Sequence, residues 1–366
     1  MFINVVSVFS ILRLPIPSQA VFLQDCNERI NSYQFKVILL FVCDIMELLD
    51  RPWTEKYRPS NLKEVIGQEA IVDKLKEFVK AKSFPSMIFS GPAGVGKTTS
   101  AIALAKELYG SQINEAFLEL NASDARGIDV IRGRVKEFAR TVPLSGGMVK
   151  IIFLDEADSL TSEAQHALRR TMEKYSLSTR FILSANYASK IIEPIQSRCV
   201  VLRFKPLREE EMKKYIERVA KSEGLEVDEK AIEALLYVSE GDLRKLTNIM
   251  QSTAVSEKTV TEKAIYEIAA RARPKEIIAM LKYALAGDFV KSRAELNTLV
   301  LSHGMSGEDI LLQCYREALN LEVEDRLKLK IISMIGDYNF RIVEGANDRI
   351  QLEAMLASLA LVRADK

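Results

Sequence analysis

Histidine and cysteine are scarce in this chain of 366 residues: two histidines, His166 and His303, and four cysteines, Cys26, Cys43, Cys199 and Cys314. No two cysteines stand at C-x-x-C spacing, so neither a zinc site nor a dithiol redox pair has ligands to build it. The scattered thiols fit a reducing compartment, cytoplasmic or, in a eukaryote, nuclear. Two histidines also exclude a histidine-built metal centre and leave open Mg²⁺ held by oxygens. Net charge is nearly absent. Lys+Arg at 51 against Asp+Glu at 50 gives +1. No global field therefore draws the chain to nucleic acid or an acidic membrane, and any such contact needs a local patch. No uninterrupted apolar run reaches the ~20 residues of a membrane helix, which argues against a membrane partner. What remains is ample core material, 48% hydrophobic residues and 28% charged. At roughly 150 residues per domain the length suggests two or three domains.

Residues 1–45 do not match the rest. Met1–Leu23 is apolar with one charge, Arg13, and is interrupted by Pro15 and Pro17; Val37–Val42 is a second apolar run. A secretory signal wants its cation ahead of the apolar stretch, followed by a small-residue cleavage site. The expectation is an upstream extension outside the native structure, with the native start at Met46.

From Trp53 to about Phe204, short apolar runs alternate with helical patterns. The runs are Met87–Phe89, Phe117–Leu120, Ile151–Leu154, Phe181–Leu183 and Val200–Leu202. Helical stretches are expected at Thr98–Tyr109, around Ile128–Thr141, and at Ser162–Tyr175. That alternation predicts a parallel sheet covered on both faces. After Pro206 the pattern becomes wholly helical: Met212, Tyr215, Ile216 and Val219 recur at i, i+3, i+4 and i+7, and Gly224 can stop that helix. Helices at Glu229–Ser239 and Asp242–Gln251 complete a small bundle, and Pro274 marks a boundary. Five more follow at Glu276–Ala286, Val290–Leu301, Glu308–Leu319, Asp325–Val343 and Asp348–Val362. The predicted order is thus an α/β domain with a parallel sheet at 46–205, an all-α bundle at 206–273 and an all-α C-terminal domain at 274–366.

Gly91-Pro92-Ala93-Gly94-Val95-Gly96-Lys97-Thr98 fits G-x-x-x-x-G-K-[ST] between a predicted strand and a predicted helix, with Thr99 next in line. In that setting glycines let backbone N–H groups wrap phosphates. Lys97 brings a cation to the β- and γ-phosphates, and Thr98 offers a hydroxyl to Mg²⁺. Asp155-Glu156 ends the apolar run Ile151–Leu154. A strand that delivers two carboxylates beside a P-loop points to hydrolysis of ATP, with Asp155 on Mg²⁺ and Glu156 polarising the attacking water.

Further segments narrow the class. Trp53-Thr54-Glu55-Lys56-Tyr57-Arg58-Pro59 precedes Val65-Ile66-Gly67-Gln68-Glu69; then come Asp155-Glu156-Ala157-Asp158, Ser184-Ala185-Asn186, Ser197-Arg198-Cys199 and Gly241-Asp242-Leu243-Arg244-Lys245. In that order the chain resembles the small subunits of replication factor C, AAA+ sliding-clamp loaders of archaea and eukaryotes, over essentially all of 46–366. Thr54, where Val is frequent, and Ala125, where an acidic residue is common, depart mildly from the family pattern. The resemblance implies an AAA+ domain, a helical lid and a helical collar, and it assigns roles residue by residue. Thr54 and Ile66 would line the adenine pocket, with Arg58 close to the nucleotide. Asn186 would bond the γ-phosphate or the attacking water; by itself it reads as a turn Asn at a strand end. Arg244 would reach the γ-phosphate from the lid, and without the family it reads as a surface arginine. Arg198 would act in trans, completing a neighbour's site and stabilising its transition-state charge. Cys199 is expected to be a packing thiol and His166 a helix-surface residue.

The implied partners are a clamp-loader large subunit, further copies of this chain (four small to one large), a sliding clamp and primer–template DNA. Arg126, Arg132, Arg134, Lys136 and Lys190 are candidates for the DNA backbone, although lysines and arginines at helix spacing otherwise mean solubility. The alternatives are another AAA+ motor and a regulatory ATP switch that does not hydrolyse. A branch-migration helicase would end in a basic DNA-binding module and a protease unfoldase would carry an aromatic pore loop; neither is evident. Glu156, Asn186 and Arg198 together argue against the switch.

Overall fold

A computed structural model describes residues 51–123, 131–141, 149–256 and 258–362, without the side chains of Ile131, Arg132 and Ser256. The expected extension 1–45 and the start at Met46 lie outside the described residues, as do Arg126 and the side chain of Arg132. The chain divides into two compact units, 1–56 and 57–366. Within the first, the described part includes one short helix, Trp53–Lys56, which carries Thr54.

In the second unit a 3₁₀ turn, Leu62–Glu64, precedes helix α1 (Glu69–Ala81), whose Ile71, Val72 and Leu75 are buried. Five strands follow: β1 (Met87–Ser90), β2 (Phe117–Asn121), β3 (Lys150–Asp155), β4 (Thr179–Ala185) and β5 (Val200–Arg203). They form one sheet in the order β2-β3-β4-β1-β5, every pairing parallel. The inner strands are near-continuous apolar runs because both faces are covered: Met87, Ile88, Phe89, Ile151, Ile152, Phe153, Phe181, Ile182 and Leu183 are all fully buried. The edge strands β2 and β5 are only half covered. Helix α2 (Lys97–Tyr109) leaves the loop after β1, and α3 (Ser162–Lys174), N-capped by Thr161, follows β3 after a tight 3₁₀ turn. The single helix expected around Ile128–Thr141 is different in its described part: a π-helical turn, Ile131–Val135, leads into a short helix, Lys136–Arg140. Gly133 lies within the π turn, where its backbone freedom disfavours a regular α-helix.

Beyond the sheet the chain turns helical. Helix α4 (Glu209–Glu223) buries Met212, Tyr215, Ile216 and Val219, the predicted stripe, and ends at Gly224 with φ +66°. Then come α5 (Glu229–Ser239), α6 (Leu243–Ser256) and α7 (Glu262–Ile268). One correction applies here: the region is not wholly helical. Glu226–Val227 and Thr259–Val260 pair in parallel as β6 and β7, two residues each, too short to show a period in sequence. Helices α8 (Pro274–Leu285), α9 (Phe289–Leu301), α10 (Gly307–Asn320), α11 (Asp325–Val343) and α12 (Asp348–Val362) share one core that includes Met280, Leu281, Leu296, Ile310, Ile331, Ile335 and Leu356. Polar bonds join them to the preceding segments: Tyr237 of α5 donates to Glu317 at 2.8 Å, and Arg271, in the link after α7, pairs with Asp309 at 3.4 Å.

Candidate nucleotide site

The C-terminal ends of β1, β3 and β4 lie along one edge of the sheet, where open α/β sheets bind ligands. The loop 91–96 leaves β1 there and enters α2, so that the helix N-terminus faces the loop's concavity. Two of its glycines are required by close approach. A Cβ on Gly91 would stand 2.4 Å from the Phe204 carbonyl oxygen, and one on Gly94, whose φ is +68°, would stand 1.7 Å from Asp242 Oδ1. The Asp242 contact brings α6 onto the loop, and the Leu243 N–H donates to the Gly94 carbonyl at 3.1 Å.

Lys97, 8% exposed, curls its ammonium into the loop. Nζ donates to the Gly91 carbonyl at 2.6 Å, the Pro92 carbonyl at 2.7 Å and Asn186 Oδ1 at 3.0 Å. Burial holds its pKa below the ordinary lysine range, and the carboxylates of Asp155 and Asp158 oppose that shift. Arg244, exposed in the first turn of α6, is near enough for its charge to be felt at Lys97. Thr98 Oγ1 donates to Asp155 Oδ2 at 2.7 Å, and Asp155 Oδ1 accepts from the Glu156 N–H at 2.9 Å. Glu156 itself is exposed and in the left-handed region, φ +51° and ψ +38°, costing roughly 1–2 kcal/mol for an L-residue with a Cβ.

Thus Lys97, Thr98, Asp155 and Asn186 are brought together, with Glu156 adjoining. Pro92 and Ala93 are exposed, Val95 is buried, and Thr99, Arg58 and Ile66 are half-buried. Among the described residues Arg198 is bonded to none of the cradle. Its Nη2 pairs with Glu173 at 2.6 Å, and its Nη1 donates to the Pro194 carbonyl at 2.6 Å. Arg134, Lys136 and Lys190 are exposed, Lys190 lying over the Tyr187 ring. His166 is exposed on α3. Cys199 is partly buried, and burial pushes its thiol up to about 12.

Three residues gain a place that sequence reasoning did not give them. Asp158 Oδ2 accepts from the N–H groups of Asn186 and Tyr187 at 3.2 and 3.4 Å, fixing the turn that presents Asn186. Gln68, 5% exposed, donates from Nε2 to the Lys205 carbonyl at 2.8 Å and the Val95 carbonyl at 3.5 Å, stitching the P-loop to the exit from β5. Asp242 caps α6 by accepting from the Lys245 N–H at 3.0 Å. All three stand inside segments already notable in the sequence, but only the folded chain shows what they hold.

The residues fit Mg²⁺. Among the described residues no group of three or more His, Cys, Asp or Glu gathers into a metal cage. Mg²⁺ beside phosphates needs only one or two protein oxygens, because it keeps its waters and takes phosphate oxygens as ligands. The Thr98–Asp155 pair supplies two such oxygens.

A β-strand, a glycine loop cupping a lysine, and a second strand of the same sheet, one place removed, ending in carboxylates define a P-loop ATPase. The family model described as "ATPase family associated with various cellular activities (AAA)" matches residues 87–207, and "Replication factor C C-terminal domain" matches 272–358. The chain is 52% identical over 314 residues to the replication factor C small subunit of Methanococcus vannielii, covering 86% of this chain and all of that one. Against that of Archaeoglobus fulgidus it is 52% identical over 308 residues, 84% of this chain and 97% of the other. Against that of Methanothermobacter thermautotrophicus the identity is 50% over 316 residues, 85% and 98%. The chain belongs to the replication factor C small subunit family, AAA+ ATPases of the clamp loaders that serve DNA replication. Among solved structures it is similar to the Thermotoga maritima RuvB Holliday junction branch migration motor, at 20% identity, 70% and 91% coverage and TM-score 0.49. Among the described residues no helix is long and apolar enough to cross a membrane.

Proposed function

We propose that this chain hydrolyses ATP at the seam between two subunits and that this hydrolysis drives loading of a sliding clamp onto primed template DNA. The nucleotide would lie in the 91–98 loop. Lys97 exchanges its loop carbonyls for β- and γ-phosphate oxygens, Asn186 orients the γ-phosphate or the attacking water, and Glu156 polarises that water. Thr98 and Asp155 would hold Mg²⁺, which when bound neutralises charge on the phosphates. Thr54 and Ile66 are assigned to the adenine pocket, Arg58 to a place close to the nucleotide, and Arg244 to the phosphates from the lid. The division into 46–205 for the ATPase, 206–273 for the lid and 274–366 for a collar that joins subunits belongs to the same reading. So do four copies with one large subunit, and a DNA groove that includes Arg126, Arg132, Arg134, Lys136 and Lys190.

One observation carries the reading. The cradle gathers Lys97, Thr98, Asp155 and Asn186, while Arg198 is exposed and bonded wholly elsewhere. An arginine placed so cannot serve the cradle of its own chain without leaving its present bonds, and it is open to a neighbour's. The test is complementation within the complex formed with the large subunit. Complexes built from Lys97→Ala chains alone, or from Arg198→Ala chains alone, should have little ATPase. Complexes built from a mixture should recover part of it, because some seams then pair an intact cradle with an intact arginine. Failure of the mixture to exceed either parent would refute action in trans.

A further inference from the structure

Arg198 is held at two points. Its Nη1 side donates to the Pro194 carbonyl at 2.6 Å, on the short helix Glu193–Gln196, and to Ser197 Oγ at 3.3 Å, in the turn after that helix. Its Nη2 side pairs with Glu173 Oε1 at 2.6 Å, on the last turn of α3. The same Oε1 accepts from Arg169 Nε at 3.0 Å, one helical turn back along α3. Both arginines keep the Glu173 carboxyl below the usual carboxylate range, the hydrogen bond from Arg169 being the larger cause. Two guanidiniums around one carboxylate leave the cluster with a net positive charge, so the hold on Arg198 does not cancel its attraction for phosphate.

One anchor would let the guanidinium swivel; two anchors from separate elements fix its plane. The side chains of Arg198 and Glu173 are each 39% exposed, so the unengaged N–H donors have room to face outward. An exposed pair of this kind adds little to fold stability, which makes its removal a clean perturbation. In a closed seam, with water excluded, the same pair strengthens.

We propose that Glu173 is a positioning residue for Arg198, pre-setting the guanidinium for the phosphates of a neighbouring subunit. The proposal rests on the seam reading given above. Positioning matters because a catalytic group displaced by about 1 Å can lose on the order of 100-fold in rate. The expected result in the assembled complex with primed DNA and clamp is that Glu173→Ala lowers kcat about tenfold and leaves KM for ATP unchanged. Glu173→Gln, which keeps an acceptor oxygen, should recover part of the loss. In an Arg198→Ala background, Glu173→Ala should change nothing further, because the group it positions is gone. The thermal midpoint of each variant chain should equal that of the parent, which removes misfolding as the cause. A rise in kcat on Glu173→Ala, or the same factor lost with and without Arg198, overturns the proposal. If Arg198→Ala alone keeps parental kcat, the seam reading itself fails and takes this one with it; that result is separately visible in the same set of proteins.

Discussion

Replacing Gly94 by alanine puts a methyl group where the Asp242 carboxylate already sits, 1.7 Å from Oδ1 and 2.1 Å from Cγ. Two costs follow from different causes. The first is conformational: φ +68° at Gly94 costs an L-residue roughly 1–2 kcal/mol, offset by about 0.4–1 kcal/mol because alanine orders the unfolded chain. The second is steric. Asp242 must rotate away, and in doing so it gives up its cap on the Lys245 N–H, a contact of about 1 kcal/mol. Gly94→Ala should therefore destabilise by about 2 kcal/mol, and Asp242→Ala alone by about 1 kcal/mol. The double variant should cost no more than about 2 kcal/mol, since the cap can be lost only once. Urea unfolding of the four proteins, followed by far-ultraviolet circular dichroism at constant slope, measures this cycle. Gly94→Ala alone should also bind a fluorescent ATP analogue more weakly, and Asp242→Ala in the same chain should restore part of that binding, because the carboxylate that the methyl group displaces is then gone. Strict additivity of the two substitutions, within about 0.3 kcal/mol, would refute the claim that Gly94 and Asp242 compete for the same space.

Two other outcomes are expected. Glu156→Gly should raise the thermal midpoint by about 1–3 °C, by relieving the left-handed strain at φ +51°, while abolishing turnover; a lowered midpoint would show that the Glu156 side chain contributes more to the fold than its backbone strain costs. Burial pushes the Cys199 and Cys314 thiols up to about 12, so the thiolate fraction at pH 8 is about a thousandfold below that of a free cysteine. Both sites in the native chain should therefore resist iodoacetamide at pH 8 and react after unfolding, as read by peptide mass spectrometry; rapid native labelling at Cys199 would mean that its surroundings open.

Much of the site was legible because residue type and order both carry it. The run Ile151–Leu154 announces a buried strand, and Asp155 stands at its end, so the carboxylate's place follows from the strand's. The same logic located Lys97 and Thr98 after β1 and Asn186 after β4. What could not be read is every contact between residues far apart in sequence. Gly94 faces Asp242, Gln68 bonds Lys205, and Arg198 meets Glu173, and no local pattern encodes any of these pairs. Gln68 in particular looks like one more polar residue at a helix entrance, until burial leaves its amide with carbonyls as its partners. Elements of two residues, β6 and β7, were lost for a different reason: a period of two needs more than two residues to be seen.

The strand order has a bearing on how the chain is made. The strand that leads into the P-loop, β1, has both of its sheet neighbours, β4 and β5, later in the chain. During synthesis it leaves the ribosome with two bare edges and finds no partner until about 95 more residues have been added and β4 is complete, roughly 5–20 s at ordinary elongation rates. Met87-Ile88-Phe89, wholly interior in the finished protein, must spend that interval unpaired. A nascent chain of this design is most prone to aggregate in that window.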